Sequence, residues 1–135
     1  MKTKLIEFNS NRENINLIKE TIQSGELIAF PTETVYGLGA DGLNEEAVKK
    51  IFQVKGRPQD NPLILHIENM EMLKELVEGD LSKAKDLIDK FWPGPLTLVL
   101  KKSKIVPEII TAGLDTVAIR MPNNEIALEI IKISI

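Results

Sequence analysis

The sequence predicts an α/β fold, in which a β-sheet is flanked by helices. Short apolar runs typical of strands alternate along the chain with segments whose apolar residues recur at helical spacing. Glycine, proline and asparagine clusters stand between these segments, as expected where helices and strands end. The 135 residues fit one domain, 1–135, because no linker, internal repeat or low-complexity tract divides them.

The first half of the chain predicts three strands and two helices. Residues 5–8 form a short strand, whereas 27–30 and 63–67 are continuous apolar runs typical of buried strands. One helix follows the capping candidates at 9–11, passes through Ile22 and ends at 24–25. A second helix is capped by Asn44 and ends near 55–56. Between them, residues 31–42 are predicted to form a loop rich in hydroxyls and glycines.

The second half predicts three helices and two strands. Helical spacing covers 70–77 and 81–91, and a rigid turn at 92–95 stops the chain. The two strands are a buried one at 96–100 and another at 116–121, and a last helix follows residues 122–124. That helix runs into the apolar residues 130–135 without a glycine cap, a proline or a charged tail. We therefore expect the domain to be truncated at its C-terminus.

The composition excludes several kinds of chemistry. The chain has no cysteine, which rules out disulfides, thiolate nucleophiles and cysteine-based zinc or iron–sulfur sites. A net charge of −3 argues against a generally basic nucleic-acid-binding surface, so an anion site must be local. No apolar run approaches the roughly 18 residues that span a bilayer, and no secretory signal follows the basic start. These features predict a cytoplasmic protein without membrane contact.

Two loops are candidates for phosphate binding. Residues 37–42 spell G-x-G-x-x-G, but six residues separate them from the strand end at Phe30, and the next helix begins only around Asn44. A dinucleotide fingerprint needs its first glycine directly after the strand, so a glycine-rich turn close to the sheet is favoured. In the second loop, Lys55 and Arg57 bracket a glycine just past a helix end. Their positive charges can either bind an anion or stabilise the negative end of the helix dipole.

Further polar residues stand at predicted strands and strand ends. Thr32, Thr34 and Tyr36 follow a strand, where ligands bind in open α/β sheets, although ordinary turn chemistry is the alternative. His66, the single histidine, lies in an apolar strand, where a satisfied core residue is the more common role. Arg120 ends an apolar strand and needs an anionic partner. That partner is Asp115, Glu33 or a ligand.

Five segments in this order resemble the YrdC-type L-threonylcarbamoyladenylate synthase family, and the resemblance covers nearly the whole chain. They are residues 31–38, 55–58, 61–66, 92–97 and 117–122, which read PTETVYGL, KGRP, NPLILH, WPGPLT and VAIRMP. The resemblance implies a twisted open mixed sheet with flanking helices around a concave basic cavity. It also implies that L-threonine, bicarbonate and ATP react to give threonylcarbamoyl-AMP and pyrophosphate.

The same resemblance implies roles for individual residues. It places Thr34, His66 and Arg120 around L-threonine. It assigns ATP binding to Lys55, Arg57, Asn61 and Thr116. Lys55 and Arg57 are also expected to be catalytic, because they neutralise the leaving pyrophosphate. No metal site within the protein is implied, and Mg²⁺ is expected to arrive on the nucleotide phosphates. The product is expected to pass to a transferase complex that modifies adenosine 37 of tRNA.

Two departures from the family pattern affect this expectation. In the family, the Lys-x-Arg pair works with a downstream Ser-x-Asn segment, and this sequence stops before such a segment could appear, so we expect weak activity from this chain alone. Asn124 also stands where the family often has histidine, which is a minor change.

Two alternative functions stay open. One is an RNA-binding module with weak tRNA or double-stranded RNA contact, which the acidic balance and the few aromatic residues disfavour. The other is a carbamoyl-adenylate-forming domain of the hydrogenase-maturation type. Such proteins carry zinc-finger-like and acylphosphatase-like segments, and none is visible in this sequence.

Overall fold

A computed structural model describes residues 3–6, 12–32 and 35–134. Helices and strands alternate along most of these residues, which confirms the predicted α/β class. The helices are α1 (Arg12–Gln23), α2 (Glu45–Lys55), α3 (Met70–Leu76), α4 (Ser82–Phe91), α5 (Glu108–Thr111) and α6 (Glu125–Ile133). The strands are β1 (Ile28–Phe30), β2 (Gly37–Gly39), β3 (Ile64–His66), β4 (Leu98–Lys101) and β5 (Thr116–Arg120).

A three-stranded mixed sheet forms the centre of the fold. Its order is β3-β5-β4, with β3 parallel and β4 antiparallel to the central β5. Ile119 of β5 stands opposite Leu65 on one side and Leu98 on the other, and all three are buried. Because side chains alternate along a strand, these residues form one face of the sheet, which packs into the main core.

Four helices contribute apolar side chains to that core, and the sequence places their ends. The core includes Val48 and Phe52 of α2, Leu73 of α3, Ile88 of α4 and Ile110 of α5. Asn44 caps α2 as predicted, since its side-chain oxygen accepts hydrogen bonds from two backbone N–H groups of the first turn. Gly56 ends α2 at φ 61°, a left-handed conformation that glycine adopts without steric cost.

A second sheet contains only β1 and β2, which pair antiparallel with Phe30 opposite Gly37. This corrects two expectations. Residues 31–42 are not all loop, because β2 lies within them, and β1 is half-buried with Ala29 exposed. A continuous apolar run indicates burial on both faces, but within the described residues β1 pairs with one partner only. The described strands thus lie in two sheets rather than in one large sheet.

Three smaller differences from the predicted elements have simple reasons. Residues 3–6 contain no strand, and the rest of the strand expected at 5–8 lies outside the described residues. The strand expected to be buried at 96–100 begins at Leu98 and exposes Val99 by 64%, because Val99 points away from the core. Helix α5 was not predicted, since four residues are too short to show periodicity.

The last helix begins as the sequence predicts. Asn124 caps α6 by accepting a hydrogen bond from the backbone N–H of Ala127. Ile130 of α6 is buried against Ile18 and Ile22 of α1 in a second, smaller core. None of the helices in the described residues is long and apolar enough to cross a bilayer.

Candidate functional site

The face of the three-stranded sheet opposite the core carries the candidate polar residues. His66 of β3 and Arg120 of β5 are register partners, and both are half-buried. Thr97, directly before β4, continues this row across the sheet, since Leu98 stands opposite Ile119. The core thus fixes the strands, while this polar row lies on the side that the core leaves free.

Arg120 makes its side-chain hydrogen bonds to a hydroxyl. Its Nε and Nη2 atoms donate to Oγ1 of Thr97 at 2.9 and 2.7 Å. The two ion pairs among the described residues are Lys49–Glu46 and Lys50–Glu26, so no described carboxylate neutralises this guanidinium. Asp115 is therefore not its partner, and Glu33, the other carboxylate expected from the sequence, lies outside the described residues. A neutral hydroxyl leaves the full positive charge of Arg120 available to an anion.

His66 is not enclosed in the core. It lies in the last position of β3, half-buried, and lines a cavity of about 730 Å³. Its neighbour Leu65 takes the core position instead. His66 is therefore not a core residue, and its side chain is placed where a ligand can reach it.

The glycine-rich segment forms part of the wall of that cavity. A Cβ atom on Gly39 would lie 2.6 Å from the Phe30 ring, and one on Gly42 would lie 2.5 Å from a methyl group of Leu65. Phe30, Gly39 and Gly42 all line the cavity. The glycines thus allow close packing, as the turn interpretation predicts. Three strand residues and a loop precede α2, so no glycine turn leads straight into a helix N-terminus.

Lys55 and Arg57 also line the cavity, at the C-terminal end of α2. The left-handed Gly56 turns the chain between them, and the backbone N–H of Arg57 donates to the carbonyl of Phe52 at 3.0 Å. Arg57 is half-buried, and its Nη2 donates to the carbonyl of Pro62 at 3.1 Å. Lys55 is exposed and carries its charge on a flexible four-carbon stem. The pair thus combines a hydrogen-bonded guanidinium with an exposed ammonium group.

Four predicted site residues lie away from this cavity lining or outside the described structure, and Arg120 on the adjoining sheet face is one of them. Asn61 is exposed, and its backbone N–H donates to the carbonyl of Pro58 at 3.3 Å. Thr116 is on the same sheet face as Arg120 but four residues earlier, about 13 Å away along the strand. Thr34 falls outside the described residues.

The charges around the cavity are mixed. The described lining carries Lys55 and Arg57 but also the carboxylates of Asp41 and Glu75. The concave cavity implied by the family resemblance is present, but its described lining is not strongly basic. Within the described part of the chain, no group of three or more acidic or histidine side chains is placed to hold a metal ion.

Sequence reasoning missed one member of the site. Thr97 was predicted only as part of the buried strand at 96–100, yet it accepts both side-chain hydrogen bonds that Arg120 donates in the described structure. The two residues are 23 positions apart, and only the β4–β5 pairing brings them together. The hydroxyl at the start of a strand was the available signal, but a sequence gives no register.

Comparisons with known proteins place this chain and its fold in a family. Residues 20–134 match the Sua5/YciO/YrdC family, whose description is "Telomere recombination". Threonylcarbamoyl-AMP synthase from Pyrococcus abyssi is 61% identical over 113 residues, 84% of this chain and 33% of that protein. The Bacillus subtilis enzyme of the same name is 49% identical over 128 residues, 93% of this chain and 37% of that protein.

Solved structures agree with these sequence matches. The crystal structure of P. abyssi Sua5 complexed with L-threonine superposes with a TM-score of 0.87 at 56% identity, over 92% of this chain and 36% of that one. E. coli YciO superposes with a TM-score of 0.80 at 26% identity, over 93% of this chain and 61% of that one. The chain spans about a third of the length of the first two relatives. It belongs to the Sua5/YciO/YrdC family.

Proposed function

We propose that this chain binds L-threonine and ATP and forms threonylcarbamoyl-AMP from them and bicarbonate. The observation that carries the proposal is the row of His66 and Arg120 on the free sheet face, beside a cavity lined by Lys55 and Arg57. Relatives at 61% and 49% identity are named threonylcarbamoyl-AMP synthase, which supports the same reaction.

Arg120 and His66 suit the amino-acid substrate. An arginine whose charge is not neutralised by a described carboxylate pairs well with the threonine carboxylate. His66 stands next to Arg120 in the register, within reach of the polar groups of the same small molecule. Thr34 is proposed as a third contact, to the substrate hydroxyl or ammonium. The relative solved with L-threonine supports this choice of substrate.

Lys55 and Arg57 suit the triphosphate. In the proposed reaction, bicarbonate condenses with the threonine amine to give a carbamate and water. A carbamate oxygen then attacks the α-phosphorus of ATP, the bond to the bridging oxygen breaks, and pyrophosphate leaves with the electron pair. Fixed cations that neutralise the charge developing on the leaving group accelerate such a step. Asn61 and Thr116 are proposed as further ATP contacts at the edges of the site.

No side chain acts as a nucleophile in this scheme, so the protein works by positioning and electrostatics. The described residues offer no cluster of three metal ligands. Mg²⁺ is therefore proposed to enter with the nucleotide, held by its phosphate oxygens. The product is proposed to pass to a tRNA threonylcarbamoyl transferase in the cytoplasm. The mixed charge of the cavity gives no support to an RNA-binding role.

Calorimetry with two matched variants tests the nucleotide site. Arg57→Ala removes a cation that lines the cavity, whereas Lys49→Ala removes a cation of α2 that lies outside the described lining and pairs with Glu46. We expect Arg57→Ala to weaken ATP binding about 10- to 30-fold. This corresponds to about 1.4–2 kcal/mol, at or just below the roughly 2–5 kcal/mol lost when a buried charge pair is truncated, because Arg57 is only half-buried. Lys49→Ala should change the affinity less than about twofold.

Comparable ATP affinities in the two variants would contradict the site. The reaction itself is tested by pyrophosphate release from ATP, which should require both L-threonine and bicarbonate. Release that proceeds equally without L-threonine would show that the nucleotide is simply hydrolysed, and the proposed function would be wrong.

A further inference from the structure

We propose that Thr97 is a positioning residue that holds the Arg120 guanidinium with its outer edge toward the carboxylate of the amino-acid substrate. The identity of that carboxylate rests on the function proposed above. The arrangement of Thr97 and Arg120 rests on the structure. It gives a role to the segment Trp92–Thr97, which the proposed function leaves unused.

The hydrogen bonds decide which edge of Arg120 is available. A guanidinium has five N–H groups and binds a carboxylate through two of them, either Nε with Nη2 or Nη1 with Nη2. Thr97 Oγ1 accepts from Nε at 2.9 Å and from Nη2 at 2.7 Å. The side edge is thus occupied. The two N–H groups of Nη1 and the second one of Nη2 remain, and one N–H from each of these nitrogens forms the end-on edge.

Thr97 itself has one donor left. A hydroxyl oxygen has two lone pairs and one proton, and both lone pairs face Arg120. Among the described residues, the structure gives that O–H no acceptor. It is therefore available, together with the end-on edge of Arg120, to an anion bound beside the sheet.

The turn before β4 holds Thr97 in place. The indole Nε1 of Trp92 donates to the carbonyl of Leu96 at 2.7 Å, and the N–H of Gly94 donates to the carbonyl of Met121 at 2.8 Å. Trp92 is buried in the main core. These bonds tie the start of β4 to the residue after Arg120, so the distance between Thr97 and Arg120 is fixed from both sides.

The choice of a hydroxyl also has an electrostatic consequence. An aspartate at position 97 would orient Arg120 equally well but would neutralise it, and the site would attract an anion less strongly. A threonine orients the guanidinium and leaves its charge intact. The pair thus provides a preorganised anion site at modest cost, because Arg120 is already half-buried and hydrogen-bonded before the substrate arrives.

Nuclear magnetic resonance of the arginine side chains tests the positioning directly. The chain has three arginines, Arg12, Arg57 and Arg120, and an Arg120→Lys variant identifies the Nε–H signal of Arg120 by its loss. We expect this signal to be protected from solvent exchange in the unaltered chain and in Thr97→Ser. In Thr97→Val, exchange should accelerate about tenfold or more.

Calorimetry with L-threonine provides the second readout. Thr97→Val should weaken L-threonine binding about tenfold or more, as expected for the loss of a hydrogen bond to a charged group, and Thr97→Ser should restore it. Ser103→Ala is the matched control, because it removes a hydroxyl that donates to the carbonyl of Glu75 away from Arg120. ATP affinity should stay unchanged in all three variants.

The outcomes separate the two proposals. If the unaltered chain binds L-threonine and Thr97→Val binds it equally well, or if Nε–H exchange is the same in both, the role of Thr97 is overturned while the proposed function stands. If the unaltered chain binds no L-threonine, the amino-acid site is wrong and the role of Thr97 falls with it. Equal losses in Thr97→Val and Ser103→Ala would show a general loss of structure and overturn the positioning role.

Discussion

The two sheets of this molecule differ in how firmly they hold their residues. In the three-stranded sheet, the central β5 has neighbours on both sides and one face buried in the main core. In the two-stranded sheet, β1 and β2 are half-buried, and the exposed residues Val35 and Tyr36 stand directly before β2. The comparison teaches that the proposed carboxylate site is built on the rigid sheet, whereas the glycine-rich wall of the cavity belongs to the less constrained one.

The largest effect should come from truncating the centre of the rigid sheet. Ile119 is 0% exposed and stands between Leu65 and Leu98. We expect Ile119→Ala to lower the free energy of unfolding by about 2–5 kcal/mol, because it leaves a cavity that the sheet cannot close. Leu38→Ala in β2, where the side chain is half-buried, should cost about 1 kcal/mol.

Chemical denaturation of both variants provides these free energies. Equal losses for Ile119→Ala and Leu38→Ala would show that the two sheets are equally constrained, which would break the comparison.

Gly94 and Gly39 provide a second comparison, in which the expected effect on stability is smaller. A Cβ atom on Gly94 would lie 2.3 Å from the backbone carbonyl oxygen of Phe91, which cannot move without distorting α4. A Cβ atom on Gly39 would lie 2.6 Å from the ring of Phe30, a half-buried side chain that can rotate. Gly94→Ala should therefore cost about 1–3 kcal/mol, and Gly39→Ala about 1 kcal/mol or less.

For ligand binding, the order of the two variants should be reversed, with the larger loss in Gly39→Ala. Because Phe30 lines the cavity, displacing its ring should weaken ligand binding even where the fold is little affected. Thermal unfolding and ATP titration of the two alanine variants measure both effects. A larger loss of stability for Gly39→Ala than for Gly94→Ala would contradict the assignment of the rigid region.

The smallest effect concerns an exposed carboxylate at the start of α4, a helix that covers the core. The backbone N–H of Ser82, and then its hydroxyl, donate hydrogen bonds to Asp80 and lower the pKa of this carboxyl group below 3.8. A lowered pKa in the folded state means that the stabilisation is fully present above pH 3.8 and is lost as the pH falls through the folded value.

Thermal unfolding at two pH values tests this contribution. Asp80→Asn should have a slightly lower Tm than the unaltered chain at pH 7, and the gap should narrow near pH 3. Ser82→Ala should keep most of the pH dependence, because the backbone hydrogen bond, the larger cause, is retained. If the difference in Tm between Asp80→Asn and the unaltered chain is the same at both pH values, the ionised carboxylate is not the source of that difference.

The elements of this fold were largely predictable, but their pairing was not. Helical spacing and the capping residues Asn44 and Asn124 place α2 and α6 because these signals are local. The strand Gly37–Gly39 was not predicted, since its glycines have no β propensity and it exists only through its pairing with β1. The split into two sheets depends on such long-range contacts.

The candidate site was also predictable only in part. Motifs in the sequence pointed to Lys55, Arg57 and His66, and the structure brings all three to one cavity. The bond between Thr97 and Arg120 was not predictable, because it depends on the antiparallel register of β4 and β5. Sequence patterns thus find single polar residues, whereas the partners that orient them become visible only with the register.

The central claim is that the free face of the rigid sheet forms a site for L-threonine. Calorimetry with L-threonine and with L-valine, which is nearly the same shape but lacks the hydroxyl, tests it most directly. A site built to hydrogen-bond a hydroxyl rejects an analogue that lacks it. The unaltered chain should bind L-threonine at least about tenfold more tightly than L-valine, and Arg120→Ala should weaken the binding of both, because they share the carboxylate. Equal binding of the two amino acids by the unaltered chain would contradict the account.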